Sequence, residues 1–183
     1  MKGADPITVL DFWWSAGAEK WFLRDEAFDK EIVARFSRLH AAALSGKLDG
    51  WRDQPASALA LLILTDQFPR NMFRGSAKAF ATDGHARETA TIAVERGFDR
   101  AFPWPARGFF YLPFEHSEDM ADQERAVDLF AAGGAVVREN YLYALIHMDV
   151  IRRFGRFPHR NKALKRRTTA AEKAFLDSGG FSA

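Results

Sequence analysis

The chain contains one uninterrupted apolar stretch, residues 58–64, in which no side chain is polar. A helix here would be apolar on every side, so the other elements must surround it. The helix predicted around it, residues 55–68, has about fourteen positions, whereas a membrane-crossing helix needs roughly twenty. The pattern therefore predicts a buried central helix in which Leu59, Leu62 and Ile63 are fully buried.

Amphipathic helical patterns occupy most of the remaining sequence. The clearest begins at Asp25, ends at Gly46 and carries its apolar residues on one helical face: Phe28, Ile32, Phe36, Leu39 and Ala43. Further helices are predicted from Asp5-Pro6 to Gly17, and over residues 76–80, 82–96, 105–114 with a bend at Pro113, 120–132, 135–154 and 169–176. Short turns between them imply antiparallel neighbours, so we expect an all-α array of helical hairpins around the central helix.

Composition agrees with one soluble helical domain over residues 1–183. The 183 residues suit a single domain, and few β-branched residues alternate with polar ones, so no sheet is expected. Cysteine is absent, and residues 1–6 break before an apolar signal segment forms, which predicts a cytoplasmic protein. No membrane association and no cofactor are expected, and the oligomeric state stays open.

The charge is unevenly distributed. Residues 152–167 contain eight basic residues and no acidic one, so the other 18 basic and the 24 acidic residues leave a formal charge of −6 elsewhere. This basic run suggests an anion-binding face. The alternative is that cations favour the end of a helix, and nucleic-acid binding ranks last because Phe154 and Phe157 alone interleave the run.

Polar residues collect where the central helix is predicted to stop. Pro69 should end or kink the helix at Phe68. Four polar side chains arrive there together: Asp66, Gln67, Arg70 and Asn71. Polar groups near a core need hydrogen-bond or ion-pair partners, or they bind a ligand. The two alternatives here are a functional site and a local Asp66–Arg70 ion pair.

Two further segments carry similar chemistry. Residues 68–71 read Phe-Pro-Arg-Asn and are called the first elbow below. Residues 157–161 read Phe-Pro-His-Arg-Asn, again directly after a predicted helix, and are called the second elbow; they contain His159, Arg160 and Asn161. The junction of residues 114–125 places a polar group at the start of a helix: His116, Ser117, Glu118 and Gln123. Its alternative interpretation is capping and hydrogen bonding between helices.

These residue types also permit chemistry. A Glu-His-x-Glu run with His147 and Asp149 elsewhere offers metal ligands, but no histidine lies four residues from another, so no metal is predicted. No nucleophile elbow surrounds Ser117, which argues against a serine triad. Catalytic candidates are therefore His116 or His159 as general acid–base, oriented by Glu118 or Asp66.

The chain resembles the bacterial domain-of-unknown-function family numbered 924. The resemblance covers nearly the whole sequence and rests on four motifs: residues 9–13 (Val-Leu-Asp-Phe-Trp), 66–71 (Asp-Gln-Phe-Pro-Arg-Asn), 111–118 (Tyr-Leu-Pro-Phe-Glu-His-Ser-Glu) with 122–124 (Asp-Gln-Glu), and 154–161 (Phe-Gly-Arg-Phe-Pro-His-Arg-Asn). The resemblance implies an all-α fold of the tetratricopeptide-like type with a concave face, although no 34-residue repeat is visible. It implies no established activity. Lys165, Arg166 and Arg167 depart from the family pattern.

Two functional hypotheses follow. The first is a binding module in which both elbows and the junction converge on one pocket, where Arg70 and Arg160 hold a small anionic molecule or a peptide carboxylate. The second is a hydrolase that uses His116 or His159 with a carboxylate.

Overall fold

A computed structural model describes residues 5–181 of the chain, and all regular secondary structure in that range is helical. The all-α prediction is confirmed. The argument against a secretion signal used residues 1–6, and residues 1–4 of these lie outside the described range. Over residues 5–181, no helix combines the length and the apolar character that crossing a membrane requires.

The described residues form two compact units, each with its own packing. The N-terminal unit comprises residues 5–74 and 78–103, and the C-terminal unit comprises residues 75–77 and 104–181. The expectation of one domain over residues 1–183 stays a prediction.

The N-terminal unit is built from six α-helices and a π-helical segment: α1 (Pro6–Ala16), α2 (Ala18–Trp21), α3 (Glu26–Leu44), α4 (Pro55–Leu62), the π-helical segment Ile63–Gln67, α5 (Phe68–Met72) and α6 (Asp83–Glu95). Short 3₁₀ turns lie at Asp49–Asp53, Ala77–Phe80 and Phe98–Ala101. Asp5 and Asp25 accept hydrogen bonds from the first N–H groups of α1 and α3, as their positions predicted.

Helix α4 is the central buried helix that the sequence predicted. Leu59 and Ile63 are 0% exposed and Leu62 is 1% exposed, so the predicted burial is confirmed. Its apolar surface is enclosed by other helices, because α1 and α6 both pack against it.

The end of this helix differs from the prediction. Regular α-helical geometry stops at Leu62, earlier than the expected boundary at Phe68, and helical structure then continues through α5 to Met72. The intervening residues are π-helical, with the Phe68 N–H bonded to the carbonyl of Ile63, five residues earlier.

Pro69 explains this wider turn. Proline has no N–H, and in a regular helix its ring would clash with the carbonyl of Thr65, four residues before it. The π-helical turn separates the two groups. Pro69 has no N–H to donate to the Thr65 carbonyl. This carbonyl instead accepts a 2.6 Å hydrogen bond from the hydroxyl of Thr82. The buried backbone is thus satisfied by a side chain from the start of α6.

Aromatic side chains fill the space between α1, α2, α3 and α5. Phe12 stacks on Phe28 with ring centroids 5.4 Å apart, and meets Phe68 edge-on at 5.9 Å. Trp13 stacks on Trp21 at 5.7 Å, and the Trp21 indole N–H donates to the Trp13 carbonyl over 2.8 Å. The dense aromatic sequence near the N-terminus therefore packs the core of this unit.

The C-terminal unit contains four α-helices: α7 (Leu112–Glu115), α8 (Met120–Ala131), α9 (Arg138–Phe154) and α10 (Ala170–Asp177). Its 3₁₀ turns lie at Ala106–Phe110, Gly134–Val137 and Pro158–Arg160. Helices α8 and α9 pack together as a hairpin. Asp119 caps α8, and Thr169 with Glu172 forms a capping box at the start of α10.

Two predicted helices are shorter than expected. The helix over residues 105–114 is a 3₁₀ turn followed by α7, because Pro113 cannot donate a hydrogen bond to an earlier turn. The helix over residues 135–154 begins only at Arg138. A tight turn precedes it, in which a Cβ on Gly133 would lie 2.3 Å from Val137 and 2.7 Å from Trp104.

Five of the eight basic residues in the run of residues 152–167 are exposed, but much of the charge of the run is paired. Arg152 lies 2.6 Å from Asp149, and Arg156 lies 2.5 Å from the buried carboxylate of Glu172. This contact with Arg156, together with the capping N–H of Thr169, lowers the pKa of Glu172 to about 2 despite its burial. The run therefore belongs partly to the scaffold.

Candidate functional site

The predicted site residues divide between the two compact units. The N-terminal unit contains Asp66, Gln67, Arg70 and Asn71, and the C-terminal unit contains His116, Ser117, Glu118, Gln123, His159, Arg160 and Asn161.

Arg70 in the N-terminal unit lies between two carboxylates. Its Nη1 is 3.4 Å from Oδ1 of Asp66, which is 1% exposed, and 3.1 Å from Oδ1 of Asp83. Burial alone would lower the pKa of Arg70, but the two carboxylates outweigh it and raise the pKa above its usual value. The Gln67 amide also donates to Asp66, over 2.5 Å. The local ion pair, one of the two alternatives for this elbow, is therefore present.

Asn71 ties α5 to α3. Its Nδ2 donates to Oδ1 of Asp29 over 2.8 Å. Arg74 donates to the same carboxylate through Nε and Nη2, at 2.5 and 3.0 Å. A bidentate arginine fixes a carboxylate in one orientation. The polar side chains of the first elbow thus hold the helices of their own unit together.

The junction between α7 and α8 is held by a glutamine. Gln123 is fully buried, and its Nε2 donates to the carbonyls of Glu115 and Ser117, each over 2.6 Å. These carbonyls follow or end a helix and lack partners within it. The Ser117 hydroxyl donates to Asp122 over 2.7 Å and accepts from the Asp119 N–H, so Ser117 stabilises the start of α8.

Glu118 accepts hydrogen bonds from the second elbow and from the residues that follow it. Its two oxygens accept from Arg166 at 2.7 and 2.9 Å, and Oε1 also accepts from the Phe157 N–H at 2.8 Å. Burial would raise the pKa of Glu118, but Arg166 and the Phe157 N–H outweigh it and lower the pKa below its usual value. The hypothesis that Glu118 orients His116 or His159 is therefore poorly supported, because its hydrogen bonds go to other groups.

Three histidines meet around two phenylalanines in the C-terminal unit. The rings of His116 and His147 are 6.3 Å apart, and His147 lies 5.5 Å from Phe157 and 4.3 Å from Phe181. His159 lies 5.6 Å from each of the two phenylalanine rings. Together with Arg160, these five residues are called the histidine cluster below.

Arg160 brings the cluster a permanent positive charge. Its guanidinium carbon lies 4.4 Å from the centre of the Phe157 ring, and the residue is 7% exposed. Cation–π contact of this kind holds the planar guanidinium in place. Burial in an apolar surrounding strengthens the interaction of this charge with any anion nearby.

His147 is the neutral member of the cluster. Burial, followed by the positive charges of His116, Arg160 and His159, lowers its pKa from 6.5 to about 3. Its Nδ1 lies 2.8 Å from the Tyr143 carbonyl, which assigns the ring proton to Nδ1. The same nitrogen lies 3.1 Å from Oε1 of the buried Glu115.

The members of the cluster differ in their exposure to solvent. His116 and His159 are partly exposed, whereas His147 and Arg160 are buried. A small molecule arriving from solvent would meet the two outer imidazoles before the guanidinium. Asn161 lies beside the cluster and is 1% exposed, with its amide 3.4 Å from the hydroxyl of Thr168.

Within residues 5–181, no three or more His, Cys, Asp or Glu side chains are arranged to hold a metal ion. His116, His147 and His159 approach one another through their rings instead, with phenylalanine between them.

Sequence reasoning undervalued three members of the site. His147 was considered only as a metal ligand, although its spacing of three from Ala144 and four from Ile151 places it on the buried face of α9. Glu115, like His147, was considered only as a metal ligand, and Phe181 was not a candidate. No local signal identifies Phe181, because only the turn after α10 brings it to the cluster.

Comparison with known proteins gives a family and a fold. The family described as "Bacterial protein of unknown function (DUF924)" matches residues 9–180. A solved structure of a protein of unknown function from Agrobacterium tumefaciens is 48% identical, with a TM-score of 0.90, over 95% of this chain and 97% of that one. No curated protein matches the sequence.

Proposed function

Because the chain belongs to the bacterial family of unknown function DUF924, whose description names no activity, we propose a function from the geometry of the C-terminal unit. The histidine cluster binds a small anionic molecule or a peptide carboxylate. The observation that carries this proposal is the buried guanidinium of Arg160 beside three imidazoles, two of which reach the surface.

The chemistry of the cluster suits an anion. A guanidinium offers a planar set of donors that matches a carboxylate or a phosphate, and it stays charged at any physiological pH. His116 and His159 add imidazole donors at the outer edge, and Phe157 contacts the face of the guanidinium. A preorganised donor set of this kind reduces the entropy lost on binding.

The proposed site uses the second elbow and excludes the first, whereas the sequence predicted one pocket formed by both. Asp66, Gln67, Arg70 and Asn71 form ion pairs and hydrogen bonds within the N-terminal unit, which supports a scaffold role for them. We also propose the tetratricopeptide-like arrangement of hairpins, supported by the pairing of α8 with α9.

A hydrolase is the second candidate function. It is favoured by the contact between Glu115 and His147, a carboxylate 3.1 Å from an imidazole. A general base works best when its pKa lies near the working pH, however, and the pKa of His147 is about 3. His116 or His159 would have to act as the base, so this function ranks below anion binding.

Titration of the protein with acetate and with phosphate tests the proposal. Heteronuclear NMR of the histidine rings locates the binding site, and Arg160→Gln removes the charge while keeping a side chain of similar length. We expect Arg160→Gln to weaken anion binding about tenfold or more, since a hydrogen bond to a charged group contributes about 1.5–3 kcal/mol.

Arg152→Gln is the matched control. Arg152 belongs to the same basic run but is 70% exposed and paired with Asp149, so its loss should leave the affinity unchanged. Equal binding by Arg160→Gln and the wild type would refute the proposal. Hydrolysis of an activated ester that is lost in both His116→Gln and His159→Gln would favour the hydrolase instead.

A further inference from the structure

Phe181 fills a place inside the histidine cluster. Its ring centre lies 4.3 Å from that of His147, 5.6 Å from His159 and 6.4 Å from Phe157. Aromatic pairs prefer tilted or edge-on contacts at such distances. The three rings therefore form a surface that accepts a phenyl group, and the chain supplies one itself.

A glycine turn places this ring. Helix α10 ends at Asp177, and Gly179 then adopts a left-handed conformation with φ +78°. A Cβ on Gly180 would lie 2.5 Å from the carbonyl oxygen of Phe175, so only glycine fits there. The chain reverses within these residues and returns Phe181 to the cluster.

Phe181 lies outside helix α10, at the edge of the hydrophobic core formed by Val150, Ile151 and Phe157. It follows the turn rather than belonging to α10, and it is only partly buried, in contrast to Phe157, which is 0% exposed. Rotation about the two glycines would break the 2.9 Å hydrogen bond from the Gly180 N–H to the Phe175 carbonyl and withdraw the Phe181 ring, while Phe157 and His147 stay in place. Glycines provide the backbone freedom that such a rotation needs.

We propose that the ligand of the histidine cluster is an arylalkanoate, whose aromatic ring takes the place of Phe181 and whose carboxylate pairs with Arg160. This inference rests on the proposed function. The Arg160 guanidinium and the Phe181 ring lie 4.4 and 6.4 Å from the same point, the centre of the Phe157 ring, which bounds their separation at 10.8 Å. An aromatic ring joined to a carboxylate by a short aliphatic chain fits within this span.

Two sources share this chemistry, a free arylalkanoic acid and a peptide that ends in phenylalanine. The test uses 3-phenylpropanoate for the first and N-acetyl-Gly-Gly-Phe for the second. Propanoate lacks the ring and 3-phenylpropanol lacks the charge, so these two compounds separate the contributions of the aryl group and the carboxylate. Binding of either acid supports the inference and identifies its source.

Phe181→Ala is the informative variant because it opens the place of the ring. We expect it to bind 3-phenylpropanoate or the peptide about tenfold more tightly than the wild type, and propanoate equally well, since the ligand no longer competes with Phe181. Arg160→Gln should weaken every acid, and 3-phenylpropanol should bind more weakly than 3-phenylpropanoate. Phe22→Ala, which removes a phenylalanine 66% exposed on the N-terminal unit, should behave as the wild type.

Histidine NMR supplies a readout besides affinity. Removal of the Phe181 ring should shift the Cε1–H resonance of His147, and added 3-phenylpropanoate should shift it again through its own ring. Unchanged resonances of His40 and His85 would show that the N-terminal unit keeps its fold, and an unchanged far-UV circular dichroism spectrum would show that the helices of the C-terminal unit are retained.

The outcomes separate the two proposals. If propanoate binds through Arg160 but the aryl acids bind no better in Phe181→Ala, the arylalkanoate inference fails and anion binding stands. If Phe181→Ala weakens the aryl acids, Phe181 is a fixed wall and the inference also fails. If no anion binds to any variant, both proposals fail.

Discussion

His147 stays neutral at physiological pH because protonation would place a charge in a buried site beside Arg160. Its pKa of about 3 in the folded protein lies below the ordinary value of 6.5. Between these two values the unfolded chain binds a proton that the folded chain excludes, so acid favours unfolding. The stability that His147 provides is complete above about pH 6.5 and is lost progressively as the pH falls toward 3.

This asymmetry gives a prediction for pH-dependent stability. Lowering the pH from 8 to 5 should cost the wild type about 2 kcal/mol through His147 alone. His147→Asn keeps a donor for the Tyr143 carbonyl but cannot be protonated, so urea unfolding should show a smaller loss for this variant. Other titrating groups contribute equally to both proteins. A His147 ring that titrates near pH 6.5 by NMR would contradict the prediction.

At the scale of the element, the π-helical segment Ile63–Gln67 resolves a conflict in the sequence. Its residues continue an apolar helix, but Pro69 forbids regular helical hydrogen bonding. The wider turn presents Asp66 to Arg70, which bonds both to the Asp66 carbonyl and to the carboxylate of Asp83. The ion pair is therefore part of how the helix passes the proline.

Removal of Arg70 should strongly destabilise this element. Arg70→Ala leaves the Asp66 carboxylate, which is 1% exposed, without its cation, and breaking a buried pair costs about 3–5 kcal/mol. The melting temperature should fall by roughly 6 °C or more for a chain of this size. Thermal unfolding followed by circular dichroism provides the measurement.

Arg96→Ala is the control for this prediction. Its ion pair with Asp53 is long, at 3.7 Å, and the two side chains are 50% and 72% exposed, so its loss should cost less than about 1 kcal/mol. Equal effects of Arg70→Ala and Arg96→Ala would mean that Asp66 does not depend on Arg70.

Periodicity predicted the long helices well and failed near prolines and glycines. Helix α3 was readable because Phe28, Ile32 and Phe36 repeat at helical spacing on one face. The π-helical turn was not readable, because it depends on the Thr82 hydroxyl, which lies far along the chain from Thr65. Local patterns specify local hydrogen bonds, and this one is tertiary.

At the scale of the whole molecule, the sequence identified the polar segments but not their partners. His116, His159 and Arg160 were singled out from two motifs, and the C-terminal unit brings them into one cluster. Glu118 was expected to orient a histidine, yet Arg166 holds it, because a carboxylate follows the strongest nearby donor. Composition contains no information on such pairing across 48 residues.

The charge of the whole chain predicts weak binding to nucleic acid. The basic run is partly neutralised by Asp149, Glu172 and Glu118, which leaves less charge for phosphates. In fluorescence anisotropy with labelled DNA, we expect a Kd above about 1 μM at physiological salt, and a steep loss of affinity as salt is added. Affinity in the nanomolar range that persists at this salt concentration would contradict the prediction.

The position of Phe181 also affects how the protein should be prepared for ligand screening. Only two residues would separate a purification tag fused after Ala183 from Phe181, whose ring contacts the imidazole of His147. A polyhistidine tag there would add further imidazoles beside the cluster and obscure its NMR signals. A cleavable tag placed before Met1 adds no residues after the Gly179–Gly180 turn.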